Sequence, residues 1–173
     1  KILLVHADNW CCCDFTDFIL YHNNFRPKNT LITMMTFDSS SPETCGIVEL
    51  DENGIVVKFH EKIKNPPGTL ANGAVYILEP EVLQWLENSH NAVDFSTDVL
   101  PNFIGKIATW KNNNIHKDIG NIETLIEAQY TNCDEHMLNL NRDSWQKNFE
   151  NSAINNLVSN LSKKRNKINS PKS

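Results

Sequence analysis

The chain opens on Lys1-Ile2-Leu3-Leu4-Val5-His6-Ala7-Asp8-Asn9, and this stretch constrains the fold more than any other. The apolar run Ile2 to Val5 suits a short strand covered on both faces. The strand delivers one carboxylate, Asp8, to its C-terminal end. In open α/β sheets, ligands sit beyond the carboxyl ends of such strands, so Asp8 stands where a metal ion or a phosphate would be met. Equally, Asp8-Asn9 can start a turn or cap the next helix. A domain rarely begins with its most buried strand, and no initiator Met is present. The chain is therefore expected to be the C-terminal part of something longer.

Further along, apolar periodicity and turn residues predict the remaining elements. Asp14 to His22 is a short helix with Phe15, Phe18 and Ile19 on one face. Leu31 to Thr36 is a second apolar strand. Asp38 to Thr44 is a loop. A hairpin follows, Gly46–Leu50 and Ile55–Phe59 around Asn53-Gly54, because Asn-Gly tolerates positive φ. Ile63 to Leu70, containing Asn65-Pro66-Pro67-Gly68, is a loop, and Ala74 to Leu78 a strand. Pro80 to Glu87 is a helix with Pro in its first turn. Val99 to Ile104 is a helix, Ile107 to Trp110 a strand and Ile122 to Gln129 a helix. Beyond Tyr130 the pattern weakens, and Ser162 to Ser173 reads as a basic, solvated tail. The domain organisation expected is 1–130 for the folded part and 131–173 for a helical extension with a disordered tail.

Composition excludes several classes. At 173 residues, with 40% hydrophobic and 21% charged side chains, the chain can bury a real core. A net charge of −5 leaves no basic footprint for nucleic acid. No apolar run approaches the roughly 18 residues a membrane helix needs. Of the five cysteines, Cys11, Cys12 and Cys13 are adjacent, and Cys45 and Cys133 stand alone. An odd count without framework spacing argues against a disulfide scaffold, and without a CxxC pair against zinc. Reduced thiols and a cytoplasmic setting are expected.

Four stretches carry candidate chemistry. They are Ala7-Asp8-Asn9 after a strand, Cys45-Gly46-Ile47-Val48-Glu49-Leu50-Asp51, and Phe59-His60-Glu61-Lys62 closed by Asn72-Gly73-Ala74-Val75-Tyr76. The fourth is His116-Lys117-Asp118-Ile119-Gly120 before a helix. In this order they resemble the sugar nucleotidyltransferases, whose pattern runs G-D-N, Y-G-V-V-x-x-D, F-x-E-K-P, N-x-G-x-Y and W-x-D-I-G. The resemblance covers about Lys1 to Gln129 and looks closest to the mannose-1-phosphate and heptose-1-phosphate guanylyltransferases. It implies an α/β, Rossmann-like (GT-A-like) mixed sheet with its N-terminal part missing and a C-terminal helical tail. It also implies an enzyme joining an NTP, GTP above others, to a sugar 1-phosphate for polysaccharide biosynthesis, with Mg²⁺ as cofactor.

By the same resemblance, Asp8 and Asp118 are the metal carboxylates, and Asp8 and Lys62 act in catalysis. Gly46 lets the chain approach the nucleotide-sugar, Glu61 holds sugar hydroxyls and Lys62 the sugar phosphate. Asn72 and Gly73 line the sugar pocket. These types suit the reaction, because phosphate attack on a triphosphate sets negative charge against negative charge and needs neutralisation and positioning. Mg²⁺ takes one or two carboxylates beside substrate phosphates. Ala7, Cys45, Ile63 and His116 depart from the family's Gly, Tyr, Pro and Trp. The family's glycine-rich G-x-G-T-R loop and later P-K, which cradle the triphosphate, are not found before Asp8. Residues 1–173 alone are thus expected to turn over little. No nucleic-acid or membrane partner is expected, and self-association is left open. The rival expectation is a non-catalytic, nucleotidyltransferase-like scaffold binding a partner through Val99–Trp110 or the helix after Asp134.

Overall fold

Apolar runs punctuated by Gly, Pro and Asn become the strands of a mixed sheet in the computed structural model, which describes residues 1–89, 91–131, 152–157 and 160. The strands are β1 (Ile2–Val5), β2 (Asn9–Cys11), β3 (Ile32–Asp38), β4 (Gly46–Leu50), β5 (Val56–Glu61), β6 (Leu70–Leu78), β7 (Ile107–Lys111) and β8 (His116–Asp118). The α-helices are α1 (Phe15–Leu20), α2 (Pro80–Asn88) and α3 (Ile122–Tyr130). The chain divides into two units, Lys1–Lys117 and Asp118–Ser173.

In the first unit the sheet runs β5-β4-β6-β3-β7, and β1 also pairs with β6. Only β3 and β7 are parallel; β6 is antiparallel to β1, β3 and β4. This is the α/β mixed sheet expected from the sequence. The organising strand, however, is β6. Its first half meets β4 at Ala71↔Ile47, and its second half meets β1 from Val75↔Val5 to Leu78↔Ile2. The expectation that Ile2–Val5 is buried on both faces is overturned. Ile2, Leu3 and Val5 are 42%, 47% and 41% exposed. Among the described residues β1 has one strand neighbour, β6, so its apolar side chains lack a second covering layer.

Two clusters cover the sheet. On one face lie Ile32, Met34, Val48, Val56, Tyr76, Leu78, Val82, Val99, Leu100, Phe103 and Ile107. On the other lie Phe18 of α1, Met35, Val75 and Ile77. The period-two alternation of β3 sends Ile32 and Met34 one way and Met35 the other, and all three are fully buried. Helix α2 starts on Pro80, whose missing N–H costs nothing in the first turn. The helix expected at Val99–Ile104 is instead a π turn at Phe95–Val99 followed by a 3-10 turn at Leu100–Phe103. Pro101 stands at the start of that second turn, where it has no N–H to give the preceding one. Asp94 opens the segment by accepting the Thr97 N–H at 2.9 Å.

The hairpin forms as expected, but Asp51 organises its loop. Its carboxylate accepts the N–H groups of Asn53 and Ile55 at 2.9 and 2.8 Å, and only Gly54 takes positive φ, at 75°. At the β3 and β6 ends, Glu79 gathers Lys1 Nζ at 3.2 Å and the Arg26 guanidinium. Buried His22 shares a 2.7 Å hydrogen bond with Thr33 Oγ1, and its Nε2 lies 3.2 Å from Glu79. Burial, reinforced by the charges of Arg26 and Lys1, pushes the His22 imidazole down to about 4.

In the second unit, Asn121 caps α3 by accepting the Thr124 N–H at 2.9 Å. Residues 153–157 are helical. The rest of the expected extension and the tail at 162–173 lie outside the described residues. Among the described residues, no helix is long and apolar enough to cross a membrane. Cys11, Cys13 and Cys45 are free thiols, whereas Cys12 is held in a disulfide, which corrects the expectation of uniformly reduced cysteines.

Candidate functional site

The sheet order sets three of the sequence-derived residues in one row. Gly46 opposes Glu61 across β4–β5, and Ile47 opposes Ala71 across β4–β6, so the next position lays Gly46 beside Asn72. Side chains directly across a ladder stand on the same face. Glu61 and Asn72 therefore flank a position with no side chain. A Cβ on Gly46 would fall 2.5 Å from the Phe59 ring and 2.8 Å from Glu61 Oε2. The glycine lets the Phe59 ring and the Glu61 carboxylate lie directly over the β4 backbone.

Behind Asn72 lies a polar contact that sequence reasoning missed. The Asn72 amide donates to Tyr76 Oη at 2.7 Å, and Asn72 Oδ1 accepts the Ala74 N–H at 3.0 Å. Tyr76 is fully buried, and its ring lies 4.8 Å from Phe95. Burial pushes its hydroxyl well above the usual range, against hydrogen bonds from Asn72 and Ser96 that pull it down. Asp94 and Glu61 are close enough to add their charge to Tyr76. The Asn72–Tyr76 spacing in the motif was the available signal for Tyr76; nothing local pointed to Phe95 or Ser96.

Glu61 carries an environment suited to ligand binding. Burial raises its carboxyl above the usual range, with Lys62 opposing and Asp94 reinforcing the shift. Lys62 Nζ is 3.7 Å from Glu61 Oε1, and its side chain is 67% exposed. Lys62 sits at φ 48°, a left-handed conformation that ends the strand and turns its side chain away from strict alternation. Adjacent Glu61 and Lys62 are therefore not bound to opposite faces of the sheet.

The β6 ladder slips between Met34 and Thr36 of β3, which marks an irregularity around Gly73 and Ala74. The positive φ falls on Ala74, at 51°, rather than on Gly73. In the N-x-G-x-Y pattern, the glycine position aligns with Ala74, so this chain holds an alanine in a glycine conformation. Gly73 is needed for another reason. A Cβ there would approach Met35 O at 3.0 Å and the His116 ring at 3.1 Å. His116 stacks on Phe37, with centroids 4.3 Å apart.

Asp8 lies in the turn between β1 and β2, exposed. The Asn9 N–H donates to His6 O at 3.3 Å, which closes the turn. The turn is tied to β6 by Asn9 Nδ2 to Gly73 O at 3.0 Å and His6 N–H to Ala74 O at 3.3 Å. The structure thus brings the Asp8 turn against the Asn72–Ala74 segment. Its carboxylate accepts no hydrogen bond among the described residues, which leaves hard oxygens free of the kind Mg²⁺ prefers. Asp118 belongs to the second unit. It is exposed and accepts the Gly120 N–H at 2.7 Å with one oxygen. No group of three or more His, Cys, Asp or Glu side chains able to hold a metal occurs among the described residues.

Comparison with known proteins agrees with this fold. The model of the Nucleotidyl transferase family matches residues 1–135. A glucose-1-phosphate adenylyltransferase of Mycoplasma mobile is 29% identical over 154 residues, covering 83% of this chain and 40% of that protein. One from Thermomicrobium roseum is 27% identical over 153 residues, covering 84% of this chain and 36% of that protein. The chain thus spans about two fifths of the length of the curated relatives it matches. A solved Bacillus anthracis chain named as a glucose-1-phosphate thymidylyltransferase, in complex with a sucrose, superposes with a TM-score of 0.64 at 15% identity. That match covers 79% of this chain and 57% of that one, and speaks for the fold. With the family model spanning most of its length and the same mixed sheet beneath, the chain belongs to the nucleotidyl transferase family.

Proposed function

We propose that the protein, in its full-length form, transfers a nucleotidyl group from an NTP to a sugar 1-phosphate. The row Glu61–Gly46–Asn72 carries this reading, because it sets two hydrogen-bonding side chains on one face of the sheet, on either side of a glycine. Glu61 offers acceptor oxygens to paired sugar hydroxyls. Asn72, oriented by Tyr76, lines the same pocket with Gly73. Lys62 meets the sugar phosphate as a mobile point charge and acts in catalysis. A sugar-phosphate oxygen attacks the α-phosphorus of the triphosphate; a P–O bond forms there and the bond to pyrophosphate breaks. Asp8 and Asp118 would hold Mg²⁺, which supplies neutralisation of phosphate charge.

The relatives' names favour a glucose 1-phosphate and ATP over the GDP-mannose or GDP-heptose chemistry that the motif resemblance suggests. The NDP-sugar made would serve as a donor for polysaccharide biosynthesis in the cytoplasm.

The test is Mg²⁺-dependent pyrophosphate release from the full-length protein with glucose 1-phosphate and ATP, dTTP or GTP. ATP should be used best, and a GTP preference would restore the guanylyl reading. Asp8→Ala and Asp118→Ala should each lose at least about a hundredfold; equal rates in wild type and both variants would remove the carboxylates from the mechanism. By calorimetry, Glu61→Gln and Gly46→Val should weaken sugar 1-phosphate binding about tenfold. Unchanged affinity in both would place the sugar elsewhere.

A further inference from the structure

The ribbon formed by β2 and β8 carries chemistry that nucleotidyl transfer does not use. Cys11 closes β2, and Cys13 follows two residues later. Both are partly buried free thiols packed against the Phe18–Met35–Val75–Ile77 cluster. The Cys12 N–H donates to Ile115 O at 2.9 Å, which lays Cys11 beside His116 on the neighbouring strand. The two thiols thus share one apolar cluster, with the His116 ring on the strand paired with that of Cys11. His116 is itself held in place, stacked on Phe37 and packed against Gly73. Its buried Nδ1 meets no strict hydrogen-bond geometry among the described residues, which leaves capacity to support a thiolate.

Two neighbouring thiols in such a setting separate into unequal partners. The hydrogen bonds from Cys13 and His116 hold the Cys11 thiol well below its usual range, against the opposing effect of burial. The hydrogen bond to Cys11, burial and the nearby Asp14 push the Cys13 thiol up. Cys11, the thiol beside the His116 imidazole, is the one placed to act as the nucleophile.

We propose that Cys11 and Cys13 form a redox-active dithiol that takes hydroperoxides as its class of oxidant, with Cys11 attacking and Cys13 resolving. The Cys11 thiolate attacks the terminal peroxide oxygen; an S–O bond forms, the O–O bond breaks, and the departing oxygen takes a proton and leaves as water or an alcohol. The Cys13 sulfur then attacks the Cys11 sulfenic acid. An S–S bond forms, the S–O bond breaks, and hydroxide takes the Cys13 proton and leaves as water. The two sulfurs are oxidised by two electrons in all, and the peroxide is reduced by two. The proposal stands on the ribbon and is independent of the transferase reading.

The full chain is labelled with limiting N-ethylmaleimide at pH 7, and the sites are located by fragmentation mass spectrometry. Cys45, a free thiol elsewhere in the fold, is the internal reference. Cys11 should react at least about tenfold faster than Cys45. Stoichiometric hydrogen peroxide should produce a Cys11–Cys13 disulfide, read as a loss of two hydrogens that a reductant reverses. In Cys13→Ser, oxidation should stop at a sulfenic acid on Cys11 that dimedone traps. Labelling of Cys11 no faster than Cys45 in the wild type would overturn the proposal without recourse to a variant. A peroxide-treated wild type without the Cys11–Cys13 bond would overturn it too.

Discussion

Strands β1 and β3 begin as similar apolar runs, Ile2-Leu3-Leu4-Val5 and Ile32-Thr33-Met34-Met35. Yet Ile32, Met34 and Met35 are fully buried, while Ile2, Leu3 and Val5 are 41–47% exposed. The residues of β3 lie between β6 and β7, with a side-chain cluster on each face. Those of β1 lie beside β6. The difference teaches that an apolar run states what a strand can tolerate, and its neighbours decide what it buries. It also moves the organising role from the first strand to β6, the strand that carries Asn72, Gly73 and Tyr76.

The contrast is sharpest under truncation. Met34→Ala should cost about 2–5 kcal/mol of unfolding free energy, because it removes fully buried surface and leaves a cavity. Leu3→Ala should cost under about 1 kcal/mol, since its side chain is already half in water. Comparable costs, measured by denaturant titration, would mean that β1 is covered in solution.

The buried strand should also show a pH dependence through the His22 that leans on Thr33. The folded imidazole sits at about 4, below its ordinary 6.5, so the unfolded chain takes up the proton first. The associated stability is fully present above pH 6.5 and is lost as pH falls through 4. Over that window it amounts to about 3 kcal/mol. Chemical melts at pH 7 and pH 4 should show this loss, and His22→Gln should remove most of it. A slope that survives in His22→Gln would assign the effect to other groups.

The smallest effect tests the irregular stretch of β6. Ala74 is held at φ 51°, where an alanine pays a steric cost that glycine does not. Ala74→Gly should stabilise the protein by about 1 kcal/mol, partly offset by the freer unfolded chain. A destabilised Ala74→Gly, by thermal melting, would show that the methyl packs rather than strains.

Much of the site was legible because it rests on local chemistry. Gly46 was expected to let the chain approach a nucleotide-sugar; the structure supplies a separate steric demand, because the Phe59 ring and the Glu61 carboxylate occupy the place of a Cβ. The hairpin followed from Asn53-Gly54, and the turn at Asp8 from an acidic residue after a strand. The left-handed backbone at Ala74 had one signal, the glycine that the N-x-G-x-Y pattern sets at that position; the alanine itself gives none. Asp94 was not legible, because its electrostatic contact with Tyr76 crosses elements far apart in the chain.

Residue order alone carried the hairpin, most of the strands and helices and the resemblance to the family, since turn residues and apolar periodicity are local signals; it did not carry β2, β8 or the paired turns over residues 95–103. Tertiary structure decided that β1 would pair with β6 and stay half exposed among the described residues, and that Glu61, Gly46 and Asn72 would share a row. It also decided that Cys11 would meet His116. Those outcomes follow from which strands hydrogen-bond to one another, a choice made between distant segments that local pattern does not encode.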